Sequence, residues 1–305
     1  MHKCIAILFM IFSCTLLAGI DVFGDQSGVW SAENNPYNVI GDITVPDNES
    51  LEIQPGVIVE VQGIYQITVI GDIQVNGSVT DSIRFYGNEG LIWEGIRLEN
   101  ETLENNFGYC LIKNAETAIN SINSPVNISN CHFNENEKAI DIFGIGNPAE
   151  ININTCFIEN CQQNGVFIVE NSNVTINSCN ITQCALDGQP RGAIQLSSQG
   201  GVNDPVITDN WIHHNVWQGI SAWDVTGAGN IYPLIDDNII EYNLTGIYLY
   251  YANGEIRNNQ INNNFVSGNP NSGAGVMISG STSCPVLTGN TITGNFTGFY
   301  ITDGA

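Results

Sequence analysis

Positive charge is scarce in this chain. Seven Lys and Arg stand against thirty-one Asp and Glu in 305 residues, for a net charge of −24 at pH 7. A nucleic-acid or anionic-lipid partner needs clustered cations, and seven spread over 305 residues form no cluster. Methionine occurs three times, and no stretch sustains a 3.6-residue apolar period, which argues against an ordinary helical enzyme. Beyond the first two dozen residues no run is apolar for long enough to span a bilayer. Charged residues make up 12% and hydrophobic residues 43%, so the chain is not an acidic disordered tail. Thirty-two glycines and abundant Asn instead favour β structure with many tight turns.

The N-terminus reads as an export signal. Lys3 precedes an apolar run from Ile5 to Leu17, too short for a comfortable membrane span, and Val22-Phe23-Gly24 places the expected cleavage after Gly24. Cys4 and Cys14 fall inside the signal, leaving Cys110, Cys131, Cys156, Cys161, Cys179, Cys184 and Cys284.

One template recurs eight times from residue 107: an apolar residue, Asn or Cys at +3, an apolar residue at +5, and a small or amide residue at +8. Ile153/Cys156/Ile158/Cys161 and Ile235/Asn238/Ile240/Asn243 are two instances. A short alternating strand follows in nearly every unit, such as Ile220/Ala222 or Ile247/Leu249, often with a Gly just before it. The units begin 21 to 31 residues apart, and loops such as 197–205, 224–233 and 266–274 absorb the difference. This predicts an all-β, single-stranded parallel β-helix. Each coil buries its apolar residues against the coils stacked ~4.8 Å above and below. Inward Asn then form hydrogen-bonded ladders, and the same Asn is expected to take the left-handed backbone that the corner requires. Cys at the same ladder positions acts as a small buried apolar residue, a free thiol rather than a disulfide or metal ligand. Residues 25–104 read as atypical capping coils, with Gly41–Val45 echoed by Gly71–Val75 at an offset of 30, and residues 105–305 as the repeated coils.

Three stretches then resemble a known family. Trp30 to Val45, the Leu51–Val59 segment with its Pro55-Gly56 turn, and Trp93-Glu94-Gly95-Ile96 are similar to the entry coils of secreted bacterial right-handed parallel β-helix proteins of the pectate-lyase-like superfamily. The resemblance implies a fold that hosts lyases, hydrolases, epimerases, adhesins and passive surface proteins, so it does not fix an activity. Members often continue past their coils, and Tyr300 to Ala305 lie within a coil without a capping helix, so a further C-terminal portion is expected.

The chemistry-bearing residues gather around 207–250. Asp209 and Asp237 share the +2 position of adjacent coils, and His213 and Glu241 share +6. Two carboxylates ~5 Å apart could share a proton, act on a glycosidic bond or hold Ca²⁺, although Asp at such a corner is also an ordinary turn residue. Trp223, Tyr248, Tyr250 and Tyr300 alternate outward on the third strands, with Trp211 and Trp217 in nearby turns. An outward aromatic row suits stacking on sugar rings. The leading expectation is an exported, non-catalytic, carbohydrate- or surface-binding protein needing no cofactor. A polysaccharide lyase or glycoside hydrolase using Asp209, Asp237, His213 and Glu241 is the alternative, and a structural stalk is a third.

Overall fold

The computed structural model describes residues 19–88, 90–144, 149–170, 173–265 and 273–305. The apolar run at Ile5–Leu17, and most of the loop expected at 266–274, lie outside the described residues. The described chain is all parallel β apart from a 3-10 turn at Ala32–Asn34. Each coil contributes a first strand to an 11-stranded sheet, and its second and third strands to a 22-stranded sheet that folds around the other faces. In one coil these strands are Val206–Thr208, Trp211–His213 and Gln218–Asp224. The next coil repeats them as Leu234–Asp236, Ile239–Glu241 and Thr245–Tyr250, with Ile207 on Ile235, Ile212 on Ile240 and Ile220 on Ile247. These stacked isoleucines are fully buried and belong to one continuous core.

The corners explain the template. In every repeat the positions at +2 and +7 have positive φ, with Asp209 and Asp237 in the first set and His214 and Tyr242 in the second. The left-handed residue therefore precedes the ladder residue, rather than being the ladder Asn itself, and turns the side chain at +3 or +8 into the interior. Asn210 donates through its backbone N–H and its Nδ2 to Asn238 Oδ1, at 2.9 and 3.0 Å. Its Nδ2 also reaches Ile176 O in the preceding coil at 2.9 Å. Asn238, Asn259 and Asn290 continue this ladder, and Asn215, Asn243, Asn264 and Asn295 form its twin. Where Cys takes over, buried thiols replace the amides and the bonds become longer: Cys179 N–H donates to Asn210 Oδ1 at 2.8 Å, Cys156 N–H donates to Cys179 Sγ at 3.4 Å, and the Cys156 and Cys179 thiols reach Ile128 O and Ile153 O at 3.7 Å. All seven described cysteines are free, with six buried and Cys284 exposed. Burial and the neighbouring thiol raise the pKa of Cys131, so thiolate chemistry is suppressed there.

Glycine before the third strand has a packing reason. A Cβ at Gly246 would come within 2.5 Å of Gly275 O and 2.7 Å of Ile261 Cγ2.

The opening coils follow the same architecture, but the echo between Gly41–Val45 and Gly71–Val75 is not a structural repeat. Ile43 in the third-strand position pairs with Ile67, whereas Ile73 in a first strand pairs with Leu51. Both segments need β-branched residues at alternate positions, which makes them look alike although they sit on different faces. Gly95 has φ +104, and a Cβ there would lie 1.7 Å from Thr117 O, which fixes the Trp-x-Gly-Ile segment.

At the N-terminus, strand Ile20–Asp25 pairs with Tyr37–Val45 and places Val22 in the core. The cleavage point expected after Gly24 falls inside this strand. At the other end, Leu287 and Ile292 are only partly buried, while Phe299 and Ile301 are exposed. Among the described residues no helix is long and apolar enough to cross a membrane.

Candidate functional site

The third strands from 218 to 302 carry the densest aromatic surface. Alternation sends Ile220, Ala222, Ile247 and Leu249 inward and the intervening residues outward. Trp223 and Tyr250 are register partners on adjacent coils, with ring centroids 5.2 Å apart and planes at 67°. Tyr248 lies 6.4 Å from each of them. Tyr251, in the left-handed corner that follows, stands 4.5 Å from Tyr250, edge to face. Gly280 makes room for it, since a Cβ there would meet Tyr251 Cδ1 at 2.6 Å. Edge-to-face pairs at these separations are favourable geometry for aromatic rings, so the cluster is fixed before any ligand arrives.

The loop after Trp223 walls one side. The buried Asp224 carboxylate accepts from Thr226 N–H at 2.8 Å, Thr226 Oγ1 at 2.6 Å, and the N–H groups of Gly229 and Asn230 at 2.8 Å each. Burial opposes ionisation of Asp224, but these donors outweigh it and hold its pKa below the usual range.

Trp217 and Tyr300 sit apart from this cluster. They line a depression of about 540 Å³ together with Leu244, Met277 and Phe296. Trp211 lies on the second-strand face and does not join the row. Its ring stacks on His213 at 3.8 Å, and its Nε1 donates to Glu241 Oε1 at 3.1 Å. His213 Nδ1 and His214 Nδ1 are 2.7 Å apart, and the His214 ring stacks on Tyr242 at 4.9 Å. Burial first, then the neighbouring His214, lowers the pKa of His213, with Glu241 opposing. Tyr300 stays in register with Tyr248 through Met277, whereas Trp211, expected in a turn, lies in a second strand on another face.

The four residues expected to form an acidic site do not converge. Asp209 and Asp237 occupy the same corner of successive coils, and His213 and Glu241 are register partners at the far end of the second strand. The Asp209 carboxylate accepts from Thr208 Oγ1 at 3.2 Å and Asn177 Nδ2 at 3.3 Å, away from Asp237. Glu241 is engaged by Trp211. Among the described residues no three His, Cys, Asp or Glu side chains are grouped so as to hold a metal ion.

Two features are invisible to sequence reasoning. Tyr251 reads only as a residue of a nearby turn, because its role depends on the space that Gly280 leaves in the next coil. Asp141 is buried on the third-strand face and binds Lys138 Nζ at 2.7 Å. Burial raises the pKa of Asp141 against the pull of Lys138, whose Nζ lies 5.7 Å from the Phe167 ring centroid. A buried carboxylate needs such a partner, but sequence spacing does not report burial on an outward face.

No curated protein matches the chain. Among solved structures, the Dettilon tailspike protein aligns with TM-score 0.51 at 14% identity, covering 87% of this chain and 60% of its own. The chain thus spans less than two thirds of that protein, and the likeness is one of fold. The A-module of a mannuronan C-5 epimerase from Azotobacter vinelandii aligns at 12% identity over 90% of this chain and 89% of its own, with TM-score 0.30. A hyperthermoactive exopolygalacturonase from Thermotoga maritima aligns at 12% identity over 87% and 85%, with TM-score 0.27. Residues 95–231 and 224–305 match the family described as "Right handed beta helix region", so the stacked coils, their ladders and this match together make the chain a member of that family.

Proposed function

We propose that the protein is an exported β-helix that binds carbohydrate, without turning it over, on the aromatic third-strand face around Trp223. The observation that carries this reading is the pre-packed cluster of Trp223, Tyr248, Tyr250 and Tyr251, with neighbouring centroids 4.5 to 6.4 Å apart. Sugar rings present apolar CH faces, and a rigid set of aromatic rings accepts them with little loss of side-chain entropy. The non-catalytic part of the reading rests on the acids: Asp209 and Glu241 are engaged with separate partners, and Asp237 stands at the other end of the second strand from His213. Export rests on the N-terminal apolar run, and cleavage that leaves strand Ile20–Asp25 whole lies before Ile20.

The test is retention of immobilised protein on a panel of polysaccharides, with parallel assays for new reducing ends and unsaturated products. The expected result is retention without product, weakened about tenfold by Trp223→Ala, the loss of one stacked ring at ~1.4 kcal/mol. Product formation that disappears in Asp237→Asn establishes the enzyme reading instead. Absence of retention on every glycan, unchanged by Trp223→Ala, favours the structural stalk.

A further inference from the structure

The glycan reading leaves the class of sugar open, and the charges around the cluster narrow it. We propose that the Trp223–Tyr248–Tyr250–Tyr251 cluster, bordered by the Asp303 carboxylate, takes an ammonium-bearing amino-sugar glycan in preference to a neutral or acidic one. This rests on the reading of that face as a glycan site.

Asp303 is placed by the stacking of coils. Tyr250 pairs with Ser279, Ser279 pairs with Thr302, and Ser279 Oγ donates to Asp303 Oδ2 at 2.7 Å. The carboxylate therefore stands two coils beyond Tyr250 at the same corner, as the neighbour after Thr302. Its charge reaches both phenols: burial first, and Asp303 in smaller part, raises the hydroxyl pKa of Tyr248 and Tyr250.

Among the described residues no Lys or Arg is ion-paired with Asp303. The third strands Gln218–Asp224, Thr245–Tyr250, Ala274–Ser279 and Thr297–Thr302 contain no Lys or Arg. Lys113, Lys138, Arg97, Arg191 and Arg257 are paired with carboxylates elsewhere on the molecule. A uronate would set its carboxylate against Asp303 and against a chain of net charge −24, with no cation on these strands to receive it. A neutral sugar gains stacking alone. An ammonium on the sugar gains stacking, attraction to the aromatic faces, and Coulomb attraction to Asp303. The face is also held ready, since Gly280 leaves the space Tyr251 fills and Asp224 pins the loop beside it.

The experiment is calorimetric titration of the full chain with three probes: a glucosamine hexamer, the N-acetylglucosamine hexamer of the same length, and a tetramer of galacturonate. The glucosamine hexamer is expected to bind about tenfold tighter than its acetylated counterpart, with galacturonate weakest, and the preference should shrink as salt rises from about 0.05 to about 0.5 M. Asp303→Asn should remove the preference while leaving N-acetylglucosamine binding intact, and Trp223→Ala should weaken both. Equal binding of the two hexamers, or tighter binding of galacturonate, overturns the inference and leaves the glycan reading standing. Failure of every oligomer to bind overturns both.

Discussion

His213 shows how much a single side chain is constrained on a stacked-coil surface. It stacks on Trp211, contacts His214 through Nδ1, and meets Asn180 Oδ1 through Nε2 at 3.0 Å. Thr182 below and Glu241 above complete its surroundings, with Tyr242 behind His214. The Nδ1–Nδ1 contact needs one donor and one acceptor, so it survives only while the pair is not doubly protonated. The pKa of His213 is lowered from its usual 6.5, and the unfolded chain therefore binds the proton more readily than the folded one. Its contribution to stability is complete above the unfolded value and is lost as pH falls through the lowered folded value. Urea midpoints measured from about pH 7 to about pH 5 should fall more steeply for the native chain than for His213→Gln, and equal slopes would refute this account. The pairing of His213 with Glu241 was legible from the repeat, because both occupy the +6 position. What each side chain does was not: the direction of Asp209 toward Asn177 depends on torsions that the repeat leaves free.

The loop following the Gln218–Asp224 strand is the element on which the aromatic face depends. One buried carboxylate organises it from within through four hydrogen bonds, while Asn253 Nδ2 and Thr282 Oγ1 tie Gly229 O and Gly227 O to the neighbouring coils. Asp224→Ala should leave the Thr226, Gly229 and Asn230 amides exchanging hydrogen at nearly unprotected rates, with most of the core still protected. Native-state exchange with mass analysis checks this, and retained protection of those three amides would show that the loop is held by other means. Strands of this kind were readable, because Ile220/Ala222 and Ile247/Leu249 alternate with polar or aromatic residues. The loop was visible only as inserted length, since nothing in the residues after Trp223 says that Asp224 folds back on its own segment. In the opening coils the same alternation misled, and like-looking segments came to rest on different faces.

Across the whole molecule, stability is a sum over neighbouring coils, and the amide ladders join those coils in the half built from Asn. Asn238 is central: its Oδ1 receives the N–H and Nδ2 of Asn210, and its Nδ2 reaches Ile207 O and Asp236 O. Removing it leaves several buried groups unpaired, at about 3–5 kcal/mol. Asn238→Ala should therefore lower the denaturation midpoint strongly, while Asn262→Ala, on the outward face of the next coil, should change it little. Similar losses in both variants would mean that the ladder is not the source. The ladder also has a direction. Every amide oxygen in it receives hydrogens from the coil that precedes it in the chain, so a coil made earlier waits, donors unmet, for the one made later. Stacking that proceeds from the first coil onward thus closes the solenoid like a zip pulled one way, each added turn completing the rung left behind it.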